Sequence, residues 1–123
     1  MLRMFPSSLA AAAALLLAAP ALAGGPPKKT PDLLEKGRAS FAKNCVACHG
    51  PKGEGDGAAA KSLKPPPRNL VTEPLKAGSK VADVFGVLAN GVKGTGMIAF
   101  KHLSEDERWA LAYYVLSLHH PKK

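Results

Sequence analysis

Cysteine is scarce in this sequence, because its 123 residues include only two, Cys45 and Cys48. A disulfide between residues so close together would close a very short loop and remove little entropy from the unfolded chain. No cysteine lies near residue 23 that could carry a lipid. A domain of about 100 residues is marginal on apolar burial alone. We therefore expect the domain to be stabilised by a group that the two cysteines hold.

A long hydrophobic run is also lacking. Leu9–Ala19 is apolar but covers only about eleven residues, too few to cross a bilayer comfortably. Arg3 precedes this run and Ala21-Leu22-Ala23 follows it, which is the pattern of a secretory signal with a small-residue cleavage site. We predict a signal peptide over 1–23, hence a soluble periplasmic protein with no stable membrane insertion. The alternative is an uncleaved signal that anchors the chain in the membrane.

Acidic residues are few, at 9 against 17 basic ones. Removing 1–23 takes away Arg3 alone, which leaves 16 basic residues and a formal charge of +7. The basic residues are scattered rather than gathered in a run with interleaved aromatics, and the chain is predicted to be exported. Nucleic acid is therefore not expected as a partner. The basic surface favours acidic protein partners.

No stretch alternates with period two for long enough to predict a sheet, whereas three segments show helical spacing. The sequence predicts a flexible leader over 24–31, irregular loops over 45–72 and 91–103, and helices over Asp32–Asn44, Ser79–Asn90 and Glu105–Leu118. The predicted N-caps are Thr30 or Asp32, then Ser79, then Ser104 in a capping box with Glu107. The fold class is therefore all-α. Loops this long need something to wrap around.

Cys45-Val46-Ala47-Cys48-His49 has the spacing of a c-type haem attachment site. Two thiols one short turn apart can each add to a vinyl group on one porphyrin edge, and the next residue presents its imidazole to the iron. A thioredoxin-like pair would need a preceding strand and a parallel sheet, which the pattern does not show. A zinc site would need two more ligands, for which the candidates are His102, His119 and His120.

Residues 32–118 resemble the small class I cytochromes c. Gly37 and Phe41 are similar to one face of that family's N-terminal helix, and Leu111 and Tyr114 to the matching face of its C-terminal helix. The resemblance implies a cytochrome c domain over 32–120, with three or more helices and long loops wrapped around one covalently bound haem c and its iron. Gly37 would let two helices cross closely while Phe41 and Tyr114 fill the junction.

Met97 is the only methionine after residue 23, and glycines precede it in the segment Gly94–Phe100. This segment is similar to the family's distal loop, although Ile98 stands where a proline is common. We therefore predict His49 and Met97 as the two axial ligands of the iron. His102 is the competing distal ligand, and His119 and His120 are expected to be exposed to solvent.

The resemblance also implies that a proline carbonyl accepts the proton of the ligating histidine. Pro66 or Pro67 is the predicted acceptor. Arg68 and Asn69 resemble residues that face the haem propionates. Trp109 and Tyr113 are expected in the core, with contact to the haem as a further expectation.

Met/His ligation raises the haem potential and leaves no coordination site open for a substrate. The sequence therefore predicts a monomeric single-electron carrier, not an enzyme, that shuttles between periplasmic or membrane-bound respiratory redox proteins docking at the haem edge. The alternative is a haem enzyme or a gas-binding sensor in which the distal site opens.

Overall fold

The structure, a computed structural model, describes residues 24–121. It contains four α-helices: α1 (Pro31–Asn44), α2 (Val46–His49), α3 (Val81–Asn90) and α4 (Glu105–Leu118), with a 3-10 turn at Ala60–Ser62. No strand occurs within 24–121, which agrees with the all-α prediction. The predicted signal peptide lies outside the described residues. Among those residues, no helix is both long and apolar enough to cross a membrane.

The first helix begins where the side chain of Thr30 caps it. Thr30 Oγ1 accepts a hydrogen bond from Leu33 N at 3.1 Å, and Pro31 occupies the first helical position, where its missing N–H costs nothing. Of the two predicted caps, Thr30 is therefore the one used. The helix starts at Pro31, one residue before the predicted Asp32.

The last helix has the predicted bounds, but its capping box is only half formed. Ser104 Oγ accepts from Glu107 N at 3.1 Å. The Glu107 carboxylate is engaged elsewhere, because it accepts a 2.8 Å hydrogen bond from the hydroxyl of Ser40 on α1. Ser40 is buried, and satisfying its hydroxyl across the helix pair takes precedence over the second half of the box. The prediction of a complete capping box was wrong.

Helices α1 and α4 pack closely at Gly37. A Cβ atom added there would stand 2.7 Å from the carbonyl carbon of Ala110 and 2.8 Å from Tyr114 Cβ. Phe41 lies beside this crossing with its ring centroid 5.3 Å from that of Tyr114. Among residues 24–121, Phe41 and Leu111 are the largest side chains that are fully buried. The predicted junction is confirmed.

The third helix begins one residue later than its predicted N-cap implies. Its N-cap is Lys80 rather than Ser79, because the Asp83 carboxylate accepts from Lys80 N at 3.0 Å and satisfies the first free donor of the helix. The helix ends at Gly91, whose φ of 66° suits a residue without a side chain. One side of α3 packs on α4, where the Phe85 and Trp109 rings stack with centroids 3.8 Å apart.

Two further segments differ from their predictions. The predicted loop over 45–72 contains α2 and the 3-10 turn. The predicted leader over 24–31 already includes the first residue of α1, and the Tyr113 hydroxyl donates a 2.7 Å hydrogen bond to the Pro27 carbonyl. The leader is therefore held against α4 at that point.

Candidate functional site

A cavity of about 390 Å³ lies between the helices and the long loops. Its wall is mostly apolar and combines residues far apart in sequence. It includes Phe41, Leu63, Pro65, Pro66, Pro67, Leu70, Leu75, Val84, Val87, Leu88, Phe100 and Val115. A cavity with such a mostly apolar wall suits a flat apolar group with a few polar anchors.

Cys45, Cys48 and His49 all line this cavity. The chain leaves α1 with Cys45 N bonded to Phe41 O at 2.9 Å, and the short helix α2 follows at once, with His49 N bonded to Cys45 O at 2.9 Å. This single turn places two cysteines and a histidine at one place on the wall. Both thiols are free. Burial, with a smaller contribution from Cys48, raises the pKa of the Cys45 thiol to about 12.

The His49 ring is oriented by the backbone of Arg68. Its Nδ1 lies 3.0 Å from the Arg68 carbonyl oxygen, which makes Nδ1 the donor and leaves a lone pair on Nε2 for a metal. Burial lowers the pKa of the imidazole, partly offset by this hydrogen bond, so the ring is held in the neutral form that a metal requires.

The predicted acceptors Pro66 and Pro67 are therefore corrected to Arg68. Both prolines line the cavity, but neither makes this contact. The Pro67 carbonyl oxygen packs against Gly55, where a Cβ atom would stand only 2.8 Å from it. The next carbonyl along the chain, that of Arg68, is the one that the His49 imidazole contacts.

Met97 lies half-buried on the cavity wall, and its backbone is fixed on both sides. Met97 O accepts from Val92 N at 2.9 Å. Met97 N donates to Thr95 Oγ1 at 3.1 Å, and the same hydroxyl donates to Val92 O at 2.7 Å. The loop is therefore closed on itself immediately before Met97. The competing candidate His102 is exposed and does not contribute to the cavity wall.

The side chains that follow the prolines are engaged locally. Arg68 lines the cavity, but its Nη1 donates to Pro74 O at 2.6 Å and lies 4.0 Å from a Glu73 carboxylate oxygen. Asn69 Oδ1 accepts from Val71 N and Thr72 N, which closes a turn. Contact of Arg68 with a propionate stays a prediction.

Trp109 and Tyr113 do not line the cavity. Trp109 is buried against Phe85, as expected of a core residue, whereas Tyr113 is half-buried and bonded to Pro27. His119 was expected to be exposed, but it is half-buried with Nδ1 2.9 Å from Leu70 O. The expectation for His119 was wrong because a loop far away in sequence covers it.

Thr95, Glu73 and Asp83 are among the cavity residues that escaped the sequence analysis. Thr95 carried a usable signal, a hydroxyl two positions before the candidate ligand. Glu73 and Asp83 line the cavity, and no local pattern places them there. Neither carboxylate is free, since Glu73 accepts from Asn69 N at 3.1 Å and Asp83 caps α3.

These donors fit a haem better than a lone ion. Within 24–121, no three His, Cys, Asp or Glu side chains form a group that could hold a metal ion, which argues against the zinc alternative. A neutral imidazole, a thioether and two adjacent thiols around an apolar cavity are the complement that a covalently attached haem needs.

Comparison with known proteins agrees with this fit. The cytochrome c family model matches residues 34–119. The cbb3-type cytochrome c oxidase subunit CcoP of Azospirillum brasilense is 33% identical over 108 residues, covering 74% of this chain and 34% of its own length. The same subunit of Azospirillum sp. strain B510 is 32% identical over 108 residues, with the same coverage. The chain thus spans about a third of the length of the curated relatives it matches.

A solved structure agrees with the fold. A chain of the reducing HAO-like protein complex of Kuenenia stuttgartiensis superposes with a TM-score of 0.72 at 34% identity, covering 79% of this chain and 48% of that one. The family match extends from α1 to the end of α4 and includes both the Cys45-x-x-Cys48-His49 motif and Met97. The chain therefore belongs to the cytochrome c family and carries a covalently bound haem c with its iron.

Proposed function

We propose that this haem c electron carrier is an exported shuttle that moves single electrons between a membrane-bound quinol-oxidising complex and a terminal oxidase or reductase. Cys45 and Cys48 would hold the haem through two thioether bonds, and His49 and Met97 would be the axial ligands. When bound, the haem supplies the one-electron chemistry of ferric and ferrous iron.

The observation that carries the proposal is that His49 and Met97 line the same cavity, with the ring of the first and the backbone of the second held by hydrogen bonds. The Arg68 carbonyl holds the His49 ring, and the Thr95 hydroxyl holds the Met97 backbone. As axial ligands, His49 and Met97 would leave no position for a substrate on the metal. The same two ligands in both oxidation states would also lower the reorganisation that electron transfer requires.

The acid and base groups of the cavity support a carrier over an enzyme. Glu73 and Asp83 are the carboxylates on its wall, and both accept hydrogen bonds from backbone N–H groups. A general acid or base must be able to reach a substrate proton. These two carboxylates are instead used to hold the loop and the start of α3.

The partner is proposed to be an acidic redox protein. Without residues 1–23 the chain has a formal charge of +7, from 16 basic and 9 acidic residues, which favours fast encounter with a negative surface. Ile98 lines the cavity and is 60% exposed, so it offers an apolar contact next to the proposed ligand. The similarity to an oxidase subunit supports a respiratory partner. Export to the periplasm rests on the predicted signal over 1–23.

The test combines absorption spectra of the mature protein in both redox states with carbon monoxide binding to the ferrous form. A shuttle with two axial ligands should show the ferric red-edge band of sulfur ligation and bind carbon monoxide slowly. Met97→Ala should lose that band and bind carbon monoxide fast. If the unmodified protein binds carbon monoxide rapidly, the rival function of a gas sensor or haem enzyme replaces this proposal.

A further inference from the structure

The guanidinium of Arg108 lies against three backbone carbonyls, whereas that of Arg68 donates to one. Its Nη1 lies 2.9 Å from Leu103 O and 3.4 Å from both Phe100 O and Lys101 O. Its Nε is buried without a hydrogen-bond partner. Removing a cation from water in this way costs free energy unless hydrogen bonds or charge partners compensate for it.

The carbonyls that Arg108 contacts belong to the segment that follows Met97. Phe100 is the central residue of this arrangement, since its N–H donates to Leu88 O on α3 at 2.7 Å and its carbonyl accepts from Leu103 N at 3.1 Å. Arg108 adds an attachment to α4 at the same residue. The chain is therefore fixed to two helices only three residues after Met97.

The ring of Phe85 restricts Arg108 from another direction. The guanidinium carbon lies 5.4 Å from the centroid of this ring, within the range of a cation–π contact, and Phe85 is itself stacked on Trp109. A planar guanidinium can lie on a ring and still donate to carbonyls, which a lysine ammonium does less well.

We infer that Arg108 is a positioning residue for Met97. It fastens the end of the distal loop to α4, as Thr95 fastens its start, and so keeps the thioether on the cavity wall. The inference rests on the proposed ligation by Met97. Arg108 lies on α4 and does not line the cavity, so it would act on the iron only through the loop.

The test compares Arg108→Leu and Arg108→Lys with the unmodified holoprotein. Losing one charged hydrogen bond should raise the population with an open distal site by about tenfold. Both variants should therefore bind carbon monoxide faster, show a weaker ferric sulfur band and have a lower reduction potential. Arg38→Leu is the matched control, because Arg38 lies exposed on α1 and pairs with Glu35; it should change none of these readouts.

Several results would overturn the inference. One is a folded Arg108→Leu protein, judged by unchanged helical circular dichroism, that keeps the sulfur band and slow carbon monoxide binding. Another is full restoration of both readouts by Arg108→Lys, since a point charge would then be sufficient. If Arg108→Leu does not fold, Arg108→Lys is the deciding variant.

Met97→Ala is measured in parallel to separate this inference from the proposed ligation. If Met97→Ala keeps the sulfur band, the assignment of Met97 fails. If it loses the band while the Arg108 variants keep it, the ligand stands and only the role of Arg108 fails.

Discussion

Gly37 on α1 lies so close to the backbone of Ala110 on α4 that no side chain fits between them. A Cβ atom at position 37 would lie 2.7 Å from the Ala110 carbonyl carbon and 2.8 Å from Tyr114 Cβ. Since backbone atoms cannot rotate away, Gly37→Ala must push the helices apart. We expect it to lower the free energy of unfolding by about 1–3 kcal/mol, measured by denaturant titration of the holoprotein.

Gly86 provides the matched control, because it lies within α3 and a Cβ atom there would meet nothing within 4 Å. Alanine is the better helix former by about 1 kcal/mol, so Gly86→Ala should leave stability unchanged or raise it. Equal destabilisation by both substitutions would show that the crossing of α1 and α4 is not the cause.

Both cysteines should form a thioether bond with the haem, but their replacement should lower the stability of the protein by different amounts. We expect denatured protein to keep its haem through acid-acetone extraction, and the double variant Cys45→Ser with Cys48→Ser to release it. Each single variant should keep one thioether bond. Cys45 belongs to the buried core, whereas Cys48 is only half-buried, so Cys45→Ser should lower stability more, by about 1–2 kcal/mol relative to Cys48→Ser. Haem extracted from the unmodified protein would disprove covalent attachment through this motif.

Thr95 should control how firmly Met97 is held. Thr95→Val keeps the shape of the side chain but removes the hydroxyl that accepts from Met97 N and donates to Val92 O. We expect a weaker ferric sulfur band, faster carbon monoxide binding and a loss of about 1–2 kcal/mol in stability. Thr95→Ser retains the hydroxyl and should behave as the unmodified protein does. Identical spectra for the valine and serine variants would mean that the hydroxyl does not position the ligand.

The elements that the sequence predicted well are those whose signals are local. Thr30 and Ser104 each cap a helix through a backbone N–H three residues away, and the apolar spacing of α1 and α4 spans several turns. Helix α2 is four residues long, too short for any periodic pattern. Residue types alone could not predict Lys80 rather than Ser79 as the N-cap of α3, because this position depends on the Asp83 carboxylate, which accepts a hydrogen bond from Lys80 N.

The details of the site depend on contacts between distant parts of the chain. The motif placed Cys45, Cys48 and His49 together because they share one turn. The acceptor for His49 is 19 residues away, and the family resemblance located it one or two residues too early, at Pro66 or Pro67. No local signal pairs Arg108 with the carbonyls after Met97, because loop and helix meet only in the folded chain.

Docking should depend on Ile98 and on salt. Ile98→Glu places a negative charge beside the cavity, and we expect it to slow reduction or oxidation by an acidic partner about tenfold; the reduction potential, which a nearby negative charge lowers, is measured alongside. Ala42→Glu, on the exposed side of α1, makes the same charge change away from the cavity and should have a much smaller effect. The rate should also fall as ionic strength rises, since at about 0.15 M screening limits charge attraction to about 8 Å. Rates indifferent to salt and to both substitutions would show that this surface does not guide docking.

The hydrogen bond between Tyr113 and Pro27 determines where the chain enters the domain. Pro27 is held against α4, and neither residue belongs to the wall of the cavity. The described chain is therefore attached to α4 at a point that forms no part of the cavity wall, so the way it enters the domain leaves the cavity accessible to a docking partner.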